Sequence, residues 1–314
     1  MKWRIRPEMT YREILTRAEQ ILHGRGIDEA KNDAWLLFEY VFKMARHEYF
    51  MKMNDAIPED GRLYDEYLSC IERRGQHVPL QHITGCQEFM GLNFFVNESV
   101  LIPRQDTEVL VEKALEKIEL INTEKVKEHD IENIRFLDMC TGSGCIAVSL
   151  YSIARRHGMT GIEAMAADIS KDALEVAEKN AKANNVDDIK FVCSNLFQKF
   201  EENTDCGIGT KYDMIISNPP YIPSKDIDEL MPEVKDFEPR LALDGTDDGL
   251  KFYKDITKES VKYIKNGGWL LYEIGFDQGE AVKNIMEQHG YEDVTVIKDL
   301  AGLDRVVSGK RTYN

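Results

Sequence analysis

From residue 134 to about residue 290 the chain repeats one pattern: an apolar run of strand length, then a stretch with helical spacing. Ile134 to Met139 is the first such run, Ile162 to Ala167 the second, and Tyr212 to Ser217 a later one. After the first run, Ile146, Ala147, Leu150 and Ile153 share one helical face; after the second, Leu174, Ala177 and Ala181 share another. Strands that alternate with helices specify an α/β fold, a parallel sheet covered by helices on both faces. Near the end, Tyr291 to Ile297 and Arg305-Val306-Val307 are strands with no helix between them, which predicts an antiparallel closing hairpin.

The first strand runs into Cys140-Thr141-Gly142-Ser143-Gly144, and a helix begins near Cys145. Glycines in a strand-to-helix turn let the backbone approach a ligand and aim N–H groups at it. The second strand ends at Asp168, placed to accept hydrogen bonds from ribose hydroxyls, and Ser170 caps the helix that follows. Gly142-x-Gly144-x-x-Ala147 also fits a dinucleotide fingerprint, so a nicotinamide cofactor stays open at this point. The plainest reading is a tight turn with no ligand.

Directly after Tyr212 to Ser217 stands Asn218-Pro219-Pro220-Tyr221. Two prolines stop the strand, because neither donates to a ladder and each fixes its own φ. Asn218, before a proline, is held extended. The elbow presents a side-chain amide, carbonyls and an aromatic ring. Asn218 Oδ1 and the Pro219 carbonyl can accept both hydrogens of a planar NH2 group while Tyr221 packs on its face. Held this way, a poorly nucleophilic amide nitrogen loses positive charge to its acceptors as it forms a bond, with no metal and no strong base. The structural alternative is a loop terminator with a capping Asn. A hydride-transfer site has no use for such a clamp, whereas a methyl electrophile does.

Together these features resemble class I S-adenosylmethionine-dependent methyltransferases, and within them the peptide chain release factor N5-glutamine methyltransferase family. Further stretches carry the resemblance: Pro79 to Gly85, Gly91 to Phe94, Leu101 to Glu108, Glu238-Pro239, Asp248-Gly249-Leu250, Glu273-Ile274-Gly275 with Gln278-Gly279, and Asp299 to Gly302. The elbow is shared with adenine-N6 DNA methyltransferases, and a ribosomal-protein glutamine methyltransferase is the nearest alternative; Pro103-Arg104-x-Asp106-Thr107-Glu108 points to the release factor group. The resemblance implies a Rossmann-like seven-stranded sheet with a small N-terminal helical domain. It implies S-adenosylmethionine at Cys140, Thr141, Gly142, Ser143, Gly144, Asp168, Asn195, Leu196 and Asn218, and a glutamine amide at Asn218, Pro219, Pro220 and Tyr221. The partner it implies is a release factor methylated in its Gly-Gly-Gln loop, with no metal. The chain departs from the family pattern at Cys140 (usually Gly), Gln105 (usually Pro), Asn195 (commonly Asp) and Asp244-Gly245 (commonly a Gly pair). A non-catalytic cofactor-binding module would leave the elbow unexplained.

Upstream, residues 1–75 read as a helical substrate-recognition domain, 76–103 as a linker with a hairpin, and 104–314 as the methyltransferase domain. Thr10-x-x-Glu13 is a capping box, Ala34 to Val41 a second helix, and Pro58 a start for a third. Phe89 and Met90 are expected to pair across Gly91-Leu92 with Phe94 and Phe95; Asp106-Thr107 caps a helix, and 122–133 form a charged connection. Residues 224–248 lack periodicity and read as a lid or substrate-peptide surface.

A formal net charge of −16 argues against a broad phosphate-binding face and direct nucleic-acid contact, and suits a basic protein partner. Arg73-Arg74 and Lys43 with Arg46 read as solvated helix termini rather than a basic patch. No apolar run has membrane-spanning length, and Met1-Lys2-Trp3-Arg4 leads into no signal core, so a cytoplasmic protein is expected. Cys70, Cys86, Cys140, Cys145, Cys193 and Cys206 form no CxxC pair and read as reduced thiols.

Overall fold

A computed structural model describes residues 9–57, 61–128, 132–202 and 211–312. The chain forms two compact units, Met1–Gly85 with Met231–Phe237, and Cys86–Leu230 with Glu238–Asn314.

The first unit is helical: α1 (Tyr11–Gly24), α2 (Ala30–Phe42), α3 (Arg46–Lys52), α4 (Arg62–Arg74) and α5 (Leu80–Thr84). The capping box starts α1 as read, with Glu13 N–H donating to Thr10 Oγ1 at 3.3 Å and Thr10 N–H to Glu13 Oε2 at 2.8 Å. The Pro58 start lies outside the described residues. Leu22, Leu37, Phe38, Tyr67 and Ile71 fill the core, and the buried Tyr67 hydroxyl donates to the Ala34 carbonyl at 2.8 Å. Two expectations change here. Residues 76–85 are part of this unit rather than a linker, because α5 seats Ile83 in the helical core with Val78 and Leu80 against it. Arg74 is buried, not solvated: it pairs with Asp33 at 2.7 Å and with Glu233 at 2.9 Å, and Glu233 also meets His77 Nδ1 at 2.9 Å.

The second unit opens with the hairpin β1 (Cys86–Phe89) and β2 (Leu92–Phe95), Phe89 opposite Leu92. The turn is therefore Met90-Gly91, one residue earlier than expected, with φ of 53° and 70° as a two-residue hairpin turn requires. A short 3-10 turn, Gln105–Thr107, leads into α6 (Glu108–Glu128). The connection expected from residue 122 is helical to 128, since Glu and Lys without Gly or Pro favour continuation.

Then come β3 (Ile134–Met139), α7 (Cys145–Arg156), β4 (Ile162–Asp168), α8 (Lys171–Ala183), β5 (Ile189–Cys193), α9 (Gln198–Glu202) and β6 (Tyr212–Ser217). After β6 follow a 3-10 turn, Ser224–Glu229, then α10 (Pro232–Lys235), α11 (Arg240–Leu243), α12 (Lys251–Ser260), β7 (Ile264–Glu273), α13 (Gly279–Gln288), β8 (Tyr291–Lys298) and β9 (Asp304–Arg311). The seven-stranded sheet has the order β5-β4-β3-β6-β7-β9-β8. Its first five strands are parallel, and β9 pairs antiparallel with both β7 and β8. One apolar cluster lies under α6 and α7, a second under α12 and α13, so both faces are covered. Strand order reverses between β3 and β6, and at such a switch point the carboxyl ends of two strands open a crevice.

Candidate active site

The glycine turn leaves β3 and the elbow leaves β6, neighbouring parallel strands with Met139 opposite Ser217. Both border a cavity of about 280 Å³. Cys140, Thr141, Gly142, Ser143, Asp168, Asn195, Leu196, Asn218 and Pro220 line it. Of the residues singled out in the sequence, Gly144, Pro219 and Tyr221 are absent from that wall. Gly144 caps α7 with φ 78°, and a Cβ there would stand 3.0 Å from Ala177 Cβ and 3.2 Å from its Cα. It brings α7 against α8 instead of facing a ligand. At Gly142 a Cβ would meet nothing within 4 Å, so its φ of 55°, not crowding, favours glycine. Cys140 occupies the same left-handed region at φ 64°, which explains why glycine is usual there. Leu196 does likewise at 47°.

Two carboxylates anchor the turn. Asp168 accepts from Gly142 N–H and from Ser170 N–H, each at 2.9 Å; burial raises its pKa, and those N–H donors oppose the rise. Asp138 is fully buried and accepts from the Thr141 hydroxyl at 2.6 Å and from Ala147 N–H at 3.2 Å, while its Oδ1 has no partner among the described residues. Burial pushes its carboxyl up to about 7. The open face at Gly142, the acid at the end of β4 and the amide of Asn195 fit a nucleoside with hydroxyls to bind.

The elbow is braced from behind. β6 is buried throughout, as are Pro219 and Pro220. The Tyr221 carbonyl accepts from Gln278 Nε2 at 3.0 Å, and Gln278 Oε1 accepts from Gly275 N–H at 3.0 Å. Ile222 N–H donates to the Leu243 carbonyl at 3.0 Å, and Gly245 N–H returns to the Ile222 carbonyl at 2.8 Å. A Cβ on Gly245 would lie 2.7 Å from the Tyr221 backbone, and one on Gly249 would run into the Tyr221 carbonyl oxygen. Arg104 grips Glu238 with one nitrogen at 2.8 and 2.7 Å from its two oxygens; Asp106 pairs with Arg305 at 3.1 Å, and Glu108 accepts from Met90 N–H at 2.7 Å. Thus Gly249, Gly275 and Gln278, from the stretches that carried the resemblance, stand directly behind the elbow. The sequence reading missed Asp138 under the glycine turn and Gln278 behind the elbow. For Asp138 the available signal was an acid inside an otherwise apolar strand, which sits there only with partners.

No group of three or more His, Cys, Asp or Glu among the described residues could hold a metal ion. The described cysteines, 70, 86, 140, 145 and 193, form no disulfide among themselves; Cys206 lies outside the described residues. Among the described residues, no helix is long and apolar enough to cross a membrane.

Residues 13–85 match the family model of the PrmC N-terminal domain, and residues 116–234 that of the methyltransferase small domain. The release factor glutamine methyltransferase of Clostridium acetobutylicum is 38% identical over 304 residues, 96% of this chain and 99% of that protein. The protein of that name from Geobacter sulfurreducens is 35% identical, over 97% of this chain and 98% of its own length. Among solved structures, the release factor-specific protein-(glutamine-N5) methyltransferase of Alicyclobacillus acidocaldarius is 27% identical, with a TM-score of 0.40, covering 70% of this chain and 100% of that one.

Proposed function

The chain belongs to the release factor glutamine methyltransferase family, and on that premise we propose that it methylates the side-chain amide nitrogen of the glutamine in a release factor's Gly-Gly-Gln loop. The observation that carries this reading is the braced elbow, whose Asn218 shares one cavity wall with the glycine turn and Asp168. S-adenosylmethionine, when bound, supplies an electrophilic methyl group. Gly142, Ser143 and Thr141 offer backbone to it, Asp168 takes the ribose hydroxyls, and Asn195 with Leu196 borders the adenine. Asn218 Oδ1 and the Pro219 carbonyl hold the two amide hydrogens, and Tyr221 supports the amide plane. The amide nitrogen so held would take that methyl group as the carbon–sulfur electron pair goes to sulfur, and the proton it sheds would pass to water. These two acceptors draw off the developing positive charge. No residue here is asked to serve as a strong base, and no metal is required.

The helical unit supplies binding energy remote from the reacting amide, since a single glutamine side chain offers little area for recognition. The net charge of −16 favours a protein partner over nucleic acid, and the enzyme works in the cytoplasm without a membrane contact. Intact-mass measurement of a purified release factor, after incubation with this protein and S-adenosylmethionine, tests the reading. One methyl increment mapped to the Gly-Gly-Gln glutamine is expected; an unmodified glutamine overturns it. A methylated ribosomal protein or adenine in its place would assign the alternatives.

A further inference from the structure

Glu273 is the last residue of β7, which runs parallel beside β6 with Tyr272 opposite Ser217. One step further along this register sets Glu273 beside Asn218. Its carboxyl group is 2% exposed and its Oε2 has no hydrogen-bond partner among the described residues, while the Thr107 hydroxyl and the Asn218 amide are near enough to favour its charged form. Thr107 is equally buried and belongs to the Asp106-Thr107-Glu108 stretch. An Asn amide has two faces of opposite character, an acceptor oxygen and a donor nitrogen. A buried carboxylate accepts only, so the donor face of Asn218 must turn toward it and the oxygen must turn away.

We infer that Glu273 is a positioning residue for methyl transfer: it fixes the flip of the Asn218 amide, so that Oδ1 faces the reacting nitrogen, and its charge polarises that oxygen into a stronger acceptor. The inference rests on the reading of the elbow as the amide site. Hydrogen bonds in series strengthen one another, and a charged partner makes the stronger bond. The same argument explains why an acid stands in a strand end that is otherwise apolar, at the cost of burial. The groups facing it are Arg305 and Asp106, with Tyr221, Tyr253 and Cys145 around them. Burial pushes Glu273 up to about 7, against the pull of Thr107, Arg305 and Asn218.

The test is Glu273→Gln, which keeps shape and an acceptor but removes the charge, assayed on an intact release factor at saturating S-adenosylmethionine. We expect kcat about tenfold lower, with methyl-donor affinity, KM for the release factor and melting temperature held within about twofold or a few degrees of wild type. Wild-type kcat should rise as pH passes through about 7, and that limb should flatten in the variant. Asp138 titrates in the same range but sits at the glycine turn, so its ionisation reads out in donor affinity. If Glu273→Gln does not fold, Thr107→Val removes the other polar group that favours the charged carboxylate and should lower kcat with donor affinity kept. Equal kcat in the variant that folds, or a loss shared by kcat, donor affinity and melting temperature, overturns the inference while glutamine methylation by the wild type stands. A wild type that leaves glutamine unmodified overturns both readings.

Discussion

On the proposed reading Asn218 carries the chemistry, because a stiff strand end presents its side-chain amide to the cavity. Replacing it with Ala removes a preorganised acceptor, and such a loss costs on the order of 10²–10³ in rate. Steady-state turnover of Asn218→Ala should fall by that much while calorimetry shows S-adenosylmethionine still bound; near-normal turnover would sink the elbow mechanism. Cys140 poses the opposite question, a side chain where the backbone wants none. Its φ of 64° costs a non-glycine residue about 1–2 kcal/mol, while glycine loses about 0.5–1 kcal/mol more in chain entropy on folding. Burial and the neighbouring Asp168 raise its thiol well above the usual range, so it is a neutral spacer and not a thiolate. Cys140→Gly is therefore expected to leave stability within about 1 kcal/mol and donor affinity unchanged. Weaker donor binding in that variant would mean the sulfur itself contacts the cofactor.

At the scale of elements, what was legible in the sequence was whatever local pattern encodes. Apolar runs marked β3, β4 and β6, the capping box marked α1, and two prolines marked the end of β6. Contacts between distant segments left no local trace. Gln278 reaches Tyr221 across 57 positions, and Glu233 reaches Arg74 across 159. The place of β9 between β7 and β8 is likewise set by pairing, since hydropathy alone left only a closing hairpin to expect. Gly249 shows how such a contact constrains function. Its φ is 70°, and an added Cβ would meet the Tyr221 carbonyl oxygen and stand 2.8 Å from Gln278 Nε2. Gly249→Ala must therefore part Gln278 from Tyr221 and push the elbow forward. Overpacking of this kind costs about 1–3 kcal/mol. A fall in melting temperature with a larger fall in kcat is expected. Thermal unfolding with unchanged turnover would show that the elbow tolerates displacement and that its bracing is only structural.

At the scale of the whole molecule, the chain passes between its two compact units three times, because Met231–Phe237 belongs with the N-terminal helices while both its flanks belong with the sheet. The 224–248 stretch, read from sequence as a lid or peptide surface, is thus divided between the units. Arg74 makes the helical unit's share testable. It is 8% exposed, Asp33 is 5% exposed, and Glu233 meets the same guanidinium. Removing one member of a buried ion pair leaves an uncompensated charge and costs about 3–5 kcal/mol. Arg74→Ala should accordingly lower the unfolding temperature of the helical unit and loosen α10 from it. The cavity residues all belong to the sheet unit, so S-adenosylmethionine affinity should not change. If the helical unit supplies the remote binding energy, kcat/KM should fall for an intact release factor and much less for a short peptide that carries the glutamine. Equal losses on both substrates would assign the helices a structural role alone, and a parallel loss of donor affinity would show that the two units fold and act as one cooperative body.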